Sequence, residues 1–388
     1  MRLSNRLTSL PDPDGDAWAV FIRARAMQEA GESVTMLCIG DHDRVTPEPL
    51  LDAMAESARG GQTGYAPITG TAALREAIAG RMSRNTASPV TAEQIAVTPG
   101  AQFALYAAIT AVTDPGDRLV MLDPYYATYP LTLKAASATA VVSPSLPDAG
   151  FQPDLDALAR NARGARAILI NTPNNPTGAV YTSETLAAIA EIARREDLWI
   201  LSDEVYSGQV WDGEHRSIRA LPGMADRTIV ISSLSKSHVM TGSRIGWLCA
   251  PERLVTPMLE FLIATSYGVP GFIQDMALHA IRNGEEIEAE TAATYRHRRD
   301  LGLRILTGAN RLRVSPPQGA MYLMLDVRGT GLSGTDFAER LLDEERIAVT
   351  PCEGFGPSAA GHVRIALTVG DESLSDALTR IRRFAERL

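Results

Sequence analysis

No apolar stretch among the 388 residues approaches the length needed to cross a bilayer, which excludes an integral helical membrane protein. The opening MRLSNRLTSLPDPDGD brings Pro11 and Asp12 in before any apolar signal-peptide core can form, so the reading predicts a cytoplasmic protein with no membrane partner. Cysteine is scarce. Cys38, Cys249 and Cys352 are odd in number and far apart, and no CxxC or Cys/His spacing accompanies them. That argues against zinc and dithiol chemistry and predicts reduced thiols in the core, with no metal site. A cationic patch is also missing. The net charge is −9 with Lys and Arg scattered, so neither nucleic acid nor an anionic surface is an expected partner. Repeats and low-complexity segments are absent as well.

What remains is a chain that is 45% hydrophobic and long enough to bury a large core, in two domains or one large domain with a companion. Short apolar runs at 94–97, 118–122, 167–170, 198–201, 228–232 and 245–250 have the length and residue types of buried strands. Helix-patterned stretches such as 101–112 and 183–195 lie between them, the alternation of an α/β fold with a mostly parallel sheet. After Gly284 the pattern changes to a long polar helix around 286–306, strands at 321–327 and 362–367, and a final helix whose Leu374, Leu378, Ile381, Phe384 and Leu388 form one apolar stripe. The expected organisation is an N-terminal arm and part of a small domain at 1–45, a large domain at 46–285, and the rest of the small domain at 286–388.

Chemistry-bearing residues fall at the ends of the predicted strands. Lys236 follows the run at 228–232 and sits among hydroxyls in Ser232-Ser233-Leu234-Ser235-Lys236-Ser237. Most lysines keep their ammonium in water. One that forms a Schiff base must lose its proton near neutral pH, which asks for partial burial and a nearby positive charge such as Arg244. Ser233, Ser235 and Arg244 are suitable donors for a phosphate dianion. Asp203 ends the run at 198–201, where a buried carboxylate needs a cationic partner such as a protonated pyridine nitrogen, or else is a helix cap or a solvated strand end. Asn171 to Gly178 reads by itself as a strand-to-helix turn. Thr98-Pro99-Gly100-Ala101-Gln102 opens a helix whose free N–H groups can meet an anion. All these would share one edge of one sheet, where open α/β sheets bind ligands.

The stretches NNPTG (174–178), SDEVY (202–206) and SLSKSHVMTGSRIGW (233–247) resemble the motifs of class I and II aminotransferases. The resemblance covers nearly the whole chain and implies a fold-type I architecture: a mostly parallel seven-stranded sheet sandwiched by helices, with a smaller α+β domain. It implies pyridoxal 5′-phosphate (PLP) carried on Lys236 as a Schiff base, Asp203 paired with the pyridine nitrogen, and Asn175 and Tyr206 on the phenolic oxygen. Gly100, Ala101, Gln102, Ser233, Ser235 and Arg244 would hold the phosphate, and Tyr126 would stack on the ring. Gly40, Asn175 and Arg364 would bind substrate, with Arg364 on the α-carboxylate. Tyr65 would reach the phosphate in a neighbouring subunit, making a homodimer with shared active sites. The implied activity is transfer of the amino group of an L-amino acid to a 2-oxo acid, pyruvate or 2-oxoglutarate, by a ping-pong mechanism, with Lys236 as general base.

Two departures stand out. Gly40-Asp41-His42-Asp43-Arg44-Val45-Thr46-Pro47 stands where relatives usually read G-[DE]-P-D-F-D-T-P, so His42 and Arg44 either make the substrate pocket more polar and cationic or point to solvent. Ser243 stands where many relatives carry a large side chain. Other stretches, such as 212–215, 221–227 and 355–362, resemble arginine–pyruvate transaminases. An arginine substrate would need a carboxylate facing its guanidinium, for which Asp41, Asp43 and Glu353 are the candidates. The same scaffold also serves PLP-dependent C–S β-lyases, the alternative activity. A regulator built on this domain would carry a DNA-binding domain ahead of it, and no basic helix-turn-helix candidate precedes the matching region.

Overall fold

The computed structural model describes residues 1–8, 10, 18–86 and 88–388. Residues 11–17 of the expected N-terminal arm, with the Pro- and Asp-rich stretch, lie outside them.

The strands are β1 (Thr35–Met36), β2 (Ile95–Thr98), β3 (Arg118–Asp123), β4 (Thr139–Leu146), β5 (Gln152–Pro153), β6 (Ala167–Asn171), β7 (Trp199–Asp203), β8 (Thr228–Ser233) and β9 (Gly246–Cys249), then β10 (Arg313–Val314), β11 (Tyr322–Asp326), β12 (Ile347–Ala348), β13 (Thr350–Pro351) and β14 (His362–Ala366). Eight form one sheet in the order β2-β9-β8-β7-β6-β3-β4-β5. Seven make the expected sheet, and the eighth, β5, adds a two-residue antiparallel pairing at the β4 edge. Strands β4, β3, β6, β7 and β8 run parallel to one another, and β9 runs antiparallel to both β8 and β2.

The central strands are mostly apolar because helices cover both faces. All five residues of β6 are buried, and so are all six of β8. The helix Gly100–Val112 lies against the sheet with Ala104, Ala107 and Ala108 fully buried, small side chains that allow close approach. Thr182 caps the helix Ser183–Arg195 by accepting a hydrogen bond from Thr185 N, and Leu186, Ile189, Ala190 and Ala193 recur at helical spacing on its buried face. β4 is absent from the strands expected above. Its first four residues are exposed or half-exposed, so it has neither a continuous apolar run nor full alternation.

A second sheet, β10-β11-β14-β13, is antiparallel, and β1 pairs in parallel with β12, tying the N-terminal segment to the C-terminal part of the chain. The helices Glu285–Leu306 and Asp371–Arg387 pack on it. Leu374, Leu378, Ile381 and Phe384 are fully buried there, each worth about 1.5–3 kcal/mol against exposure. The three cysteines are unpaired and buried. Among the described residues no helix is long and apolar enough to cross a membrane.

Candidate active site

The register of the large sheet gathers the chemistry. Asn171 at the end of β6 pairs with Asp203 at the end of β7, and Ser233 at the end of β8 pairs with Gly246 at the start of β9. Thr98, closing β2, also faces Gly246. These termini open onto a cavity of about 320 Å³, whose lining includes Gly40, Tyr126, Asn175, Asp203, Lys236 and Arg364.

One end of the cavity is built for an anion. Ala101 and Gln102 line it at the N-terminus of the helix Gly100–Val112, where Pro99 supplies no side-chain cap and the first N–H groups stay open. A Cβ on Gly246 would come within 2.6 Å of Ala101 N, so only glycine lets this helix start so close to β9. Gly100 is absent from the lining. It has φ +78°, and a Cβ there would meet the Arg244 guanidinium at 2.5 Å. Arg244 itself adopts left-handed backbone (φ 48°), and its Nη1 donates to Thr241 O at 2.9 Å. Ser233 and Ser235 complete this end, with Ser235 N donating to Ser233 Oγ at 3.3 Å. The Gln102 side chain turns aside to Thr132 Oγ1 (2.7 Å) and Thr128 Oγ1 (3.1 Å), leaving its backbone N–H for a ligand.

Asp203 is buried, and among the described residues no cation pairs with it. Its Oδ2 accepts from Tyr129 Oη at 2.6 Å and its Oδ1 from Val205 N at 3.3 Å. Loss of solvent pushes its carboxyl up to about 6, against the pull of those two donors. Asn171 braces the strand end: its Nδ2 donates to Asp203 O at 3.0 Å and its Oδ1 accepts from Asn175 N at 2.8 Å.

Arg364 is the opposite case, a guanidinium only 1% exposed in the middle of β14. Its Nη1 donates to Asn175 Oδ1 (2.9 Å) and its Nη2 to Cys38 O (2.6 Å), and the group lies over the rings of Tyr322 (4.5 Å) and Phe355 (4.9 Å). Among the described residues its Nε has no partner and no carboxylate pairs with it. Between these poles Lys236 Nζ donates to Gly40 O. A Cβ on Gly40 would overlap the Tyr322 hydroxyl, which stands 2.9 Å from the Tyr206 hydroxyl. Tyr206 also lines the cavity.

The unusual loop does not make the cavity cationic through His42 or Arg44, and it is not simply solvated. Neither side chain is in the lining. His42 Nε2 stands 3.1 Å from Ser235 O, so it carries the proton of that bond, and its Nδ1 stands 2.8 Å from Tyr295 Oη. Burial, with Lys236 nearby, pushes its pKa down to about 4. Arg44 donates to Thr291 Oγ1 at 3.0 Å. Asp43 holds Arg298 through two bonds of 3.0 and 2.7 Å, and Glu353 accepts from the N–H groups of Gly334 and Gly361, so neither faces the cavity as a guanidinium partner. Ser243 contacts Met276 Sδ at 3.6 Å.

Tyr65 is the other residue the fold keeps out of the cavity. It is 90% exposed and stands edge-on to Tyr267 at 5.0 Å. Tyr129, Tyr322 and Thr241 were not among the expected site residues. Tyr129 lies three residues after Tyr126, the one sequence cue available for it.

Comparisons with known proteins agree with this arrangement. A profile of the family described as "Aminotransferase class I and II" matches residues 32–381. The chain is 42% identical to an arginine–pyruvate transaminase of Pseudomonas aeruginosa, with 100% of this chain and 99% of that protein covered. It is 36% identical to an aspartate/prephenate aminotransferase of Thermus thermophilus over 95% of each. Among solved structures, an aspartate aminotransferase from Thermus thermophilus with maleate superposes with a TM-score of 0.93 at 34% identity, over 100% of both chains.

Proposed function

The chain belongs to the class I and II aminotransferases, PLP-dependent enzymes that move an amino group from an amino acid to a 2-oxo acid, and from that premise we propose how its own residues divide the work. The observation that carries the assignment is a pair of buried, unmatched charges on one cavity. Among the described residues Asp203 lacks a cation and Arg364 lacks an anion, with Lys236 also on that lining. A cofactor with a cationic ring nitrogen and a substrate with a carboxylate are the complements that these two charges call for.

The residues present fit PLP. Ser233, Ser235, Arg244 and the N–H groups at Gly100–Gln102 would hold the phosphate, with Gly246 keeping the helix start close. Asp203 would keep the ring nitrogen protonated, Asn175 and Tyr206 would reach the phenolic oxygen, and Tyr126 would lie on the ring face. When bound, PLP supplies the electron sink that makes the substrate's α-proton removable.

Arg364 would fix the α-carboxylate with its planar fork, assisted by Asn175 and the Gly40 backbone. Lys236 Nζ, once free of Gly40 O, takes the α-proton and returns it elsewhere as general base and then acid. Asn171 acts through Asp203 and Asn175 and positions both. The walls around Tyr206, Tyr322 and Phe355 keep water from the Arg364 end.

Two finer readings belong to the same proposal. Tyr65, exposed and remote from its own cavity, would complete the phosphate site of a second copy, which makes the enzyme a homodimer with shared sites. L-Arginine is the first donor to test, because the Pseudomonas relative is named for it, with pyruvate or 2-oxoglutarate as acceptor. The test incubates purified enzyme with single L-amino acids and pyruvate and measures alanine. Formation of alanine with the matching 2-oxo acid supports the proposal. Pyruvate release from a cysteine conjugate without any amino transfer contradicts it.

A further inference from the structure

Lys236 has two tasks that pull against each other. Its amine must leave the cofactor when substrate arrives and come back for the α-proton, while the backbone that carries it has to stay still. The peptides on both sides of Lys236 are held by side chains. Gln209 Nε2 donates to Lys236 O at 3.0 Å. Gln209 is buried and fixed in turn through its own backbone, its N–H donating to Tyr206 O and its carbonyl accepting from Ala320 N. On the other side, His42 Nε2 stands 3.1 Å from Ser235 O.

His42 stands where the motif of its relatives carries proline, which has no hydrogen to donate. The far side of the ring is anchored as well. Nδ1 stands 2.8 Å from the hydroxyl of Tyr295, a residue 1% exposed in the helix Glu285–Leu306, with the ring centroids 5.6 Å apart. With its pKa pushed down to about 4 by burial and by Lys236, the imidazole is neutral near pH 7, so it sets no second cation beside the lysine. Nε2 then carries the proton toward Ser235 O, Nδ1 accepts from Tyr295, and each bond strengthens the other. The same loop meets the lysine turn at three more points. Gly40 O accepts from Lys236 Nζ, Asp41 Oδ1 accepts from Thr241 Oγ1 at 2.7 Å, and Thr46 Oγ1 donates to Val239 O at 2.6 Å. Of these contacts, that of His42 alone holds a peptide bonded to Lys236.

We propose that His42 is a positioning residue for Lys236. The chain from Tyr295 through His42 to Ser235 O fixes the peptide ahead of the lysine, as Gln209 fixes the one after it, so the amine returns to the α-carbon by side-chain rotation alone. This rests on the reading of Lys236 as the general base. A base kept within reach speeds proton transfer and adds nothing to donor binding, which belongs to Arg364, so losing the anchor falls on kcat and spares KM.

The test compares wild type with His42→Gln, which keeps a donor for Ser235 O, His42→Leu, which fills the space without one, and Tyr295→Phe, which removes only the hydroxyl behind the ring. Hydrogen–deuterium exchange, read by mass spectrometry on cofactor-free and loaded protein, follows residues 233–240 against residues 167–171 in the sheet. Initial rates are measured at saturating cofactor over a range of donor concentrations. His42→Leu should speed exchange at 233–240 and lower kcat, each by about three- to tenfold, the factor that one net hydrogen bond supplies, with KM within about twofold of wild type. Tyr295→Phe should move both in the same direction by less, and His42→Gln should bring both back toward wild type. Adding His42→Leu to Tyr295→Phe should cost no more than His42→Leu alone, because the two act in one chain. Unchanged exchange at 233–240 in His42→Leu would overturn the role, and so would equal losses in the Gln and Leu variants or faster exchange at both segments alike. A loss of cofactor affinity with kcat intact at saturation would also overturn it, by placing the effect on the phosphate end through Ser235. If the wild type moves no amino group at all, the reading of Lys236 as base fails first, and exchange at 233–240 still reports on the anchor by itself.

Discussion

Tyr129 donates its phenolic hydrogen to Asp203 Oδ2 across 2.6 Å, and both side chains are buried. A neutral donor stands where a buried carboxylate would otherwise need a cation, and it compensates only in part. The Asp203 carboxyl is raised from 3.8 to about 6 because burial outweighs the two donors.

That shift has a sign. A carboxyl raised in the folded state favours folding while it is protonated, so the contribution is complete below its ordinary value and is lost as pH climbs through about 6. A bound pyridinium would remove the penalty on the ionised form. The gap in Tm between cofactor-loaded and cofactor-free protein should therefore widen between pH 5 and 7.5. Asp203→Asn should flatten that dependence, raise the Tm of the cofactor-free chain above pH 6, and lower kcat. A gap independent of pH in the wild type would contradict the role given to Asp203.

Lys236 is one of only two lysines in the chain, and the other, Lys134, is exposed near the end of the helix Tyr129–Ala135. Borohydride reduction of the loaded enzyme, followed by peptide mass mapping, should place the reduced cofactor on Lys236 and leave Lys134 unmodified. Lys236→Ala should lose multiple turnover, with kcat down by about 10²–10⁴-fold or more. Label on Lys134, or sustained turnover by the variant, would contradict the assignment.

Arg364→Lys should raise KM for the amino donor far more than it lowers kcat. An ammonium cannot hold Asn175 Oδ1 and Cys38 O and also present a planar fork to a carboxylate. Loss of one charge-assisted hydrogen bond is worth about 1.5–3 kcal/mol, so kcat/KM should fall about 10- to 150-fold. An unchanged KM, measured by initial rates over a range of donor concentrations, would place the α-carboxylate elsewhere.

Shared sites make a prediction for mixed oligomers. Lys236→Ala and Tyr65→Ala protein, each poorly active alone, should regain activity when subunits are exchanged. In a mixed dimer one site has an intact Lys236 and the partner's Tyr65. Activity of the mixture equal to the sum of the two separate variants would rule out a role for Tyr65 in trans.

Much of this site was legible in the sequence because its parts sit at strand ends. The runs closing at Asn171, Asp203 and Ser233 are apolar over 167–170, 199–201 and 229–231, so the polar residues that end them stand out. Other parts depend on distant pairing. Arg364 and Tyr322 share a face because β14 pairs with β11 in a register that sets Arg364 opposite Met324, and nothing local encodes that register. Tyr129 meets Asp203 only after the helix Tyr129–Ala135 folds back over the sheet edge. The loop at 40–47 was the hardest to read, since four polar side chains in sequence give no sign of which are anchors. Only the partners Thr241, Ser235, Arg298 and Thr291, all more than two hundred positions away or nearly so, show what each one holds.

The most direct measurement is an absorbance titration of the purified, cofactor-loaded enzyme with single amino acids. The long-wavelength band of the lysine-bound cofactor, at about 360–430 nm, should bleach with amino donors and return on adding pyruvate or 2-oxoglutarate, because each half-reaction stops at a stable form of the enzyme. A band that no amino acid bleaches, or pyruvate released from a cysteine conjugate while the band persists, would contradict the account and favour elimination chemistry on the same scaffold.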